Sequence, residues 1–190
     1  LTYIWQPGGA ADRVGGALIA AAGRGVECRV LVDDVGSAAF LRSELCGAMR
    51  RAGVRVEAAL PVNAFRALFV RIDLRNHRKI VVVDGRIAYA GSQNRTDSTF
   101  RSTKLRDTGP WIDASLRIEG PAVRPLALTF LKDWMVDAGE DLKPLERYVD
   151  GSEPSGDADC VVQVVPSGPG PTPDAIHQAP RNLPRQLRDL

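Results

Sequence analysis

His77-Arg78-Lys79-Ile80-Val81-Val82-Val83-Asp84-Gly85-Arg86-Ile87-Ala88-Tyr89-Ala90-Gly91-Ser92-Gln93-Asn94 decides the reading of this 190-residue chain. Two apolar runs, Arg78 to Val83 and Arg86 to Ala90, flank Asp84-Gly85. Asp and Gly tolerate the positive φ angles of a tight two-residue turn, so the stretch predicts a β-hairpin. Side chains two apart on a strand point the same way, which puts His77 and Lys79 on one face. An antiparallel partner returns its far end beside the start of the first strand. The hairpin therefore gathers the imidazole of His77, the ammonium of Lys79, the hydroxyl of Ser92 and the carboxamide of Asn94. Gly91 permits close backbone approach at the same end.

That set suits phosphoryl chemistry. An imidazole can attack phosphorus or move a proton near neutral pH. Lys79 can neutralise phosphate oxygens as charge builds in the transition state. Ser92 and Asn94 can hydrogen-bond the non-bridging oxygens. No His, Asp or Glu cluster lies at ligand spacing, so no metal or other cofactor is expected. A lone His before a strand is usually a surface or core residue. The spacing His-x-Lys-x4-Asp-x6-Gly-Ser-x-Asn is a far rarer coincidence.

Upstream, Leu1 to Trp5 reads as a short strand ended by Pro7-Gly8-Gly9. Val14, Leu18, Ile19 and Ala22 recur at helical spacing and predict a helix from Asp12 to Ala22. Val26 to Val32 alternates as a strand. After the loop at residues 33–37, Ser37 can cap a helix from Ala38 to Arg51, which Gly53 closes. Val54, Val56 and Ala58 open the next strand. Residues 63–75 read as an ordered loop. Strands and helices alternating on short links predict an α/β fold, with a mixed sheet flanked by helices.

Downstream, residues 98–109 are polar and read as mobile. Trp111 to Ile118 predicts a strand, and Pro121 starts a helix that runs to Trp134. Residues 1–149 then form one domain, residues 150–159 a Gly-, Ser-, Pro- and acid-rich linker, and residues 160–190 the start of a second half. Cys160 to Val165 predicts a strand, followed by a poorly ordered tail.

Composition sets the outer bounds. The net charge of +2 is too small to argue for nucleic acid. Cys28, Cys46 and Cys160 lack paired spacing, so buried reduced thiols are expected. No window approaches the ~18–20 apolar residues of a spanning helix. The chain opens in an apolar run without Met, consistent with a start inside a strand of a longer protein.

The motif resembles the HKD motif of the phospholipase D superfamily. Arg24-Gly25-Val26, Val30-Leu31-Val32-Asp33-Asp34-Val35-Gly36-Ser37, Ala52-Gly53-Val54 and Asn76-His77-Arg78-Lys79-Ile80 resemble the first catalytic half of bacterial cardiolipin synthases. So do Thr108-Gly109-Pro110-Trp111-Ile112-Asp113 and Arg117-Ile118-Glu119-Gly120-Pro121-Ala122-Val123. Val161-Val162-Gln163-Val164-Val165-Pro166-Ser167-Gly168-Pro169 resembles the opening of that family's second half. The resemblance implies a phosphohistidine-type intermediate on His77, with Lys79, Asn94 and Ser92 on the phosphate. It implies a mainly structural Asp84, and Asp113 as the acid that orients His77. Ile112 stands where the family commonly has Arg.

Family members carry a second HKD motif whose histidine protonates the leaving group. Here the only other histidine, His177, has no Lys two residues on. Three readings follow. The first is a one-motif fragment of a phosphatidyltransferase that turns phosphatidylglycerol into cardiolipin and glycerol. The second is a single-motif phosphodiesterase, nuclease-like or lipase-like, that acts as a homodimer. The third is an inactive truncated product. The first implies a phospholipid substrate, the membrane surface as partner of the parent protein, and a place at the cytoplasmic face of a bacterial membrane. Arg66, Arg71, Arg75 and Arg78 could meet lipid phosphates, and Arg66 and Arg71 equally suit a solvated face.

Overall fold

The computed structural model describes residues 1–61, 75–97, 100, 112–149 and 162–166. The expected loop at 63–75 (apart from Arg75), the polar stretch 98–109 (apart from Phe100), the linker 150–159, the tail beyond Pro166, and Arg66, Arg71, Trp111, Cys160 and His177 lie outside the described residues.

The architecture is mixed α/β. Helix α1 (Gly9–Gly23) leads to strand β1 (Arg29–Asp33). Helices α2 (Ala38–Leu41) and α3 (Glu44–Arg51) follow, then strand β2 (Arg55–Ala59). β1 and β2 pair in parallel from Arg29↔Arg55 to Asp33↔Ala59. Strands β3 (Ile80–Val83) and β4 (Ile87–Gly91) form the predicted antiparallel hairpin. Strand β5 (Ser115–Glu119) adds to β4, from Ile87↔Glu119 to Gly91↔Ser115. Helix α4 (Val123–Ala138) closes the described fold behind a 3-10 turn at Gly120–Ala122.

The hairpin forms for the reason its sequence suggests. Asp84 and Gly85 take φ of 51° and 64°, the two positive angles of the tight turn. Gly85 is also forced by space, since a Cβ there would stand 2.8 Å from the Tyr148 carbonyl oxygen. Alternation buries Ile80 and Ala88 on one sheet face, against Val123 and Leu126 of α4. Leu31 and Ala59 pack on Ala127, Leu131 and Trp134 of the same helix. Full burial of one such side chain stabilises by about 1.5–3 kcal/mol, so α4 fastens both sheets to one core. On the other side, Val30, Val32 and Val56 pack with Phe40, Cys46 and Met49.

Several local expectations change. Leu1 to Trp5 is not a continuous strand: Thr2 bridges Val32 and Trp5 bridges Arg95, both in parallel. The expected helix at 38–51 breaks in two at Arg42–Ser43, and Ser43, not Ser37, caps its longer part by accepting from Cys46 N at 3.2 Å. Ser37 is drawn off by a distant segment, donating to Tyr3 O at 3.0 Å and accepting from Trp5 N at 2.9 Å. The first downstream strand begins at Ser115 rather than Trp111. Residues 162–166 form no strand, although Val164 packs beside Ile80 and Val123. Cys28 and Cys46 are buried and free, and burial pushes both thiols up, which makes them poor nucleophiles.

Candidate active site

His77 lies immediately before β3 on a segment tied down from both sides. Two residues upstream, Arg75 Nε donates to Asp33 Oδ2 at 2.7 Å, with both side chains almost fully buried. On either flank, Asn76 Nδ2 donates to Asp133 Oδ2 at 2.9 Å, and the Arg78 guanidinium reaches the same oxygen at 2.6 Å. Asn76 Oδ1 accepts from Arg78 N at 3.1 Å and tightens the turn around His77. The histidine is thus presented by β1 on one side and α4 on the other, while its own side chain is exposed.

The imidazole stacks on the Tyr3 ring, with centroids 4.0 Å apart and planes 23° from parallel. Its pKa is held below the usual histidine value, first by partial burial and next by the Lys79 ammonium. Arg75 lowers it further, and Asp33 opposes the shift. A neutral ring is the nucleophilic form. Lys79 Nζ donates to His77 O at 2.6 Å and stands 5.8 Å from the Tyr3 ring centre. Burial lowers the Lys79 pKa, and the Asp113 carboxylate pulls it back up.

The far end of β4 returns here as the register requires. Gly91 N donates to Lys79 O at 3.4 Å, and Ile80 faces Ala90. Gly91 permits the close approach read from the sequence: a Cβ would stand 2.2 Å from Ala114 O. Ser92 Oγ donates to Asp113 Oδ1 at 2.7 Å and accepts from Ala114 N at 3.0 Å. Asn94 Oδ1 accepts from Ile4 N at 3.0 Å, which leaves its amide nitrogen as the donor end. Tyr3 under His77 and Ile4 against Asn94 are neighbours, so the amino-terminal segment spans the site from imidazole to carboxamide. The arrangement offers an imidazole, a cation and the Asn94 amide donor at one exposed sheet end, with the single Ser92 hydroxyl proton held by Asp113.

Asp84 stands at the hairpin turn, exposed, at the opposite end from His77, where the sequence puts it. Asp113 looks different in three dimensions. Asp113 bonds Ser92 and biases Lys79; among the described residues no hydrogen bond joins it to His77. The carboxylate whose charge opposes the lowering of the His77 pKa is Asp33, which the sequence reading placed in a loop. The signal was present, because an acid ending a fully buried strand demands a partner. Tyr3 gave no local signal. Among the described residues no three His, Cys, Asp or Glu side chains converge as a metal ligand set.

Residues 2–115 match the family described as cardiolipin synthase, PLD-like domain. The chain is 45% identical over 177 residues to cardiolipin synthase A of Pectobacterium carotovorum subsp. carotovorum (strain PC1). It is 42% identical over 177 residues to cardiolipin synthase A of Serratia proteamaculans (strain 568). Each alignment covers 93% of this chain but 36% of the relative, so the chain spans about a third of the length of these curated relatives. Among solved structures it is similar to a phospholipase D family member, Nuc from Salmonella typhimurium, with TM-score 0.45 and 20% identity, covering 73% of this chain and 74% of that one.

Proposed function

The chain belongs to the cardiolipin synthase, PLD-like domain family, and from that premise we propose that it is one half-site of a phosphatidyltransferase acting on phosphatidylglycerol. The neutral His77 imidazole attacks the phosphodiester phosphorus. The phosphorus–oxygen bond to glycerol breaks, and phosphatidyl is left on the ring. Attack by the free hydroxyl of a second phosphatidylglycerol on that phosphorus breaks the phosphorus–nitrogen bond, gives cardiolipin and releases His77, and the hydroxyl proton returns to the group that protonated glycerol. Lys79 and the Asn94 amide hold the non-bridging oxygens, where charge grows in the transition state, and the Ser92 hydroxyl joins them when its one proton turns from Asp113 to the phosphate. Asp113 acts through its neighbours, aiming the Ser92 hydroxyl and sustaining the charge on Lys79. Asp84 shapes the turn.

The observation that carries this reading is the hairpin register, which gathers an exposed imidazole of lowered pKa, an ammonium, the Asn94 amide and the Asp113-bound Ser92 hydroxyl at one end of the sheet. The proton for the leaving glycerol comes from outside the described site, supplied by a second half or a second copy. The site works at a membrane surface where its lipid resides, although no helix among the described residues is long and apolar enough to cross a membrane.

The test is to trap the intermediate. The chain is mixed with phosphatidylglycerol vesicles, quenched and digested. Mass spectrometry is expected to find phosphatidyl on the peptide containing His77 and none in His77→Ala. No adduct, or equal adduct in both, overturns the assignment. Light scattering separates the two proton sources: a dimer supports a second copy, and a monomer leaves the second half.

A further inference from the structure

A histidine that attacks phosphorus must hold its ring in one plane, because the attacking lone pair lies in that plane. The second torsion of a histidine side chain is broad and roughly two-fold, so the backbone alone does not aim the ring. The usual device is a hydrogen bond to the nitrogen that does not react. Here the bonds around His77 reach its neighbours and its own carbonyl: Asn76 and Arg78 meet Asp133, and Lys79 Nζ donates to His77 O. Among the described residues neither ring nitrogen makes a hydrogen bond. The ring is held by its face instead, 4.0 Å from the Tyr3 ring and 23° from parallel.

Tyr3 is built as a fixed surface. Its carbonyl oxygen accepts from Ser37 Oγ at 3.0 Å. The residues on either side are pinned as well: Thr2 bridges Val32, and Ile4 N donates to Asn94 Oδ1 at 3.0 Å. Gly36 lets the ring lie against backbone, since a Cβ there would stand 3.1 and 3.2 Å from two Tyr3 ring carbons. Gly36 N in turn donates to Asp33 Oδ1 at 2.7 Å, and the other oxygen of that carboxylate takes Arg75, two residues before His77. One buried acid thus fixes the support of the Tyr3 ring and the stem of the histidine in the same frame. Lys79 Nζ stands 5.8 Å from the Tyr3 ring centre, within cation–π range. A single aromatic ring therefore meets both the imidazole and the ammonium, and uses up no ring nitrogen and no N–H donor of either.

We propose that Tyr3 is a positioning residue for His77: its ring sets the plane of the imidazole and leaves both nitrogens to the chemistry. The inference rests on the half-site reading above. One nitrogen gives its lone pair to phosphorus while the other keeps its hydrogen, so the imidazole gains positive charge. The glycerol oxygen leaves with the electrons of the breaking bond. The electron-rich Tyr3 face stabilises the charged ring from the side, where a hydrogen bond would act in the plane.

The test compares Tyr3→Leu, which keeps apolar bulk without an aromatic face, with Tyr3→Phe, which keeps the face and loses the hydroxyl. Adduct formation on phosphatidylglycerol vesicles is followed per folded molecule. Tyr3→Leu is expected to slow it at saturating vesicles by at least about tenfold, with the half-saturating vesicle concentration unchanged. Tyr3→Phe is expected to rescue the rate to within about twofold of the parent chain. Proton NMR reads the stack itself: the ring current should hold the His77 ring protons upfield in the parent chain and in Tyr3→Phe, and release them in Tyr3→Leu. Equal rates for the two variants overturn the proposal. So does a His77 ring without the upfield shift in the parent chain, a result that needs no variant to fold. A parent chain that forms no adduct while the upfield shift persists removes the half-site reading, and the positioning role with it; adduct in the parent chain with equal variant rates removes Tyr3 alone.

Discussion

The two ends of the β3–β4 hairpin are built on opposite principles. At the turn, backbone decides everything. Asp84 and Gly85 sit in the left-handed region, and Gly85 is pressed against the Tyr148 carbonyl. At the base, side chains decide. His77 is exposed and stacked on Tyr3, and Lys79, Ser92 and Asn94 are each aimed by hydrogen bonds. The family motif names residues from both ends as if they were equivalent. The comparison separates them: His77 and Lys79 stand at the exposed base where the proposed chemistry lies, and Asp84 stands in the bend that joins the two strands.

Substitutions can break that division of labour. His77→Ala should cost the largest effect, a ~10³-fold or greater loss of adduct formation. Its melting temperature should hold, because the ring is exposed. Loss of folding instead would move His77 to the architectural side. Lys79→Ala should cost about 10²-fold, in the range for removing one donor to a developing oxyanion. It also removes a like charge from beside His77, so the histidine pKa rises and the acid limb of the rate profile moves to higher pH. An unmoved limb would uncouple the pair.

Gly85→Ala should do the reverse. It should destabilise by about 2 kcal/mol in denaturant melts, from the left-handed backbone and the Tyr148 contact, with adduct yield per folded molecule unchanged. A catalytic defect without a stability defect would refute the contrast.

Asp113→Asn sharpens it further. The carboxylate raises the Lys79 pKa, and the proposed reaction needs Lys79 charged. Its loss should therefore draw the alkaline limb of activity to lower pH, leaving the acid limb in place. The smallest effect belongs to Asp84→Asn. Asn tolerates the same positive φ, so activity should fall less than about twofold and stability by under ~0.5 kcal/mol. A loss like that of His77→Ala would give Asp84 a part in the chemistry.

Features with local causes were legible from sequence. Asp84-Gly85 announces its turn, and Val14, Leu18 and Ile19 announce α1. The valines of β1 announce a buried strand, and Gly91 a close approach. What escaped depended on partners far away in the chain. Ser37 and Ser43 are equally able to cap a helix. Only the arrival of Tyr3 and Trp5 at Ser37 decides between them. Asp33 looked like loop chemistry until Arg75 met it, and nothing near Tyr3 foretells a histidine 74 positions later resting on its ring. Asp113 shows the same limit: spacing puts it near the hairpin base, and only the fold shows that it meets Ser92.

The Asp33 carboxylate has one more consequence. One oxygen accepts from Val35 N and Gly36 N, at 3.0 and 2.7 Å, while the other takes Arg75. A single rigid group therefore clasps the bend after β1 and the stem of the histidine together. Whatever lands on residues 34–36, whether a lipid headgroup, a crosslink or an inserted residue, pulls on that clasp from the back. His77 has a handle on the outside of the molecule.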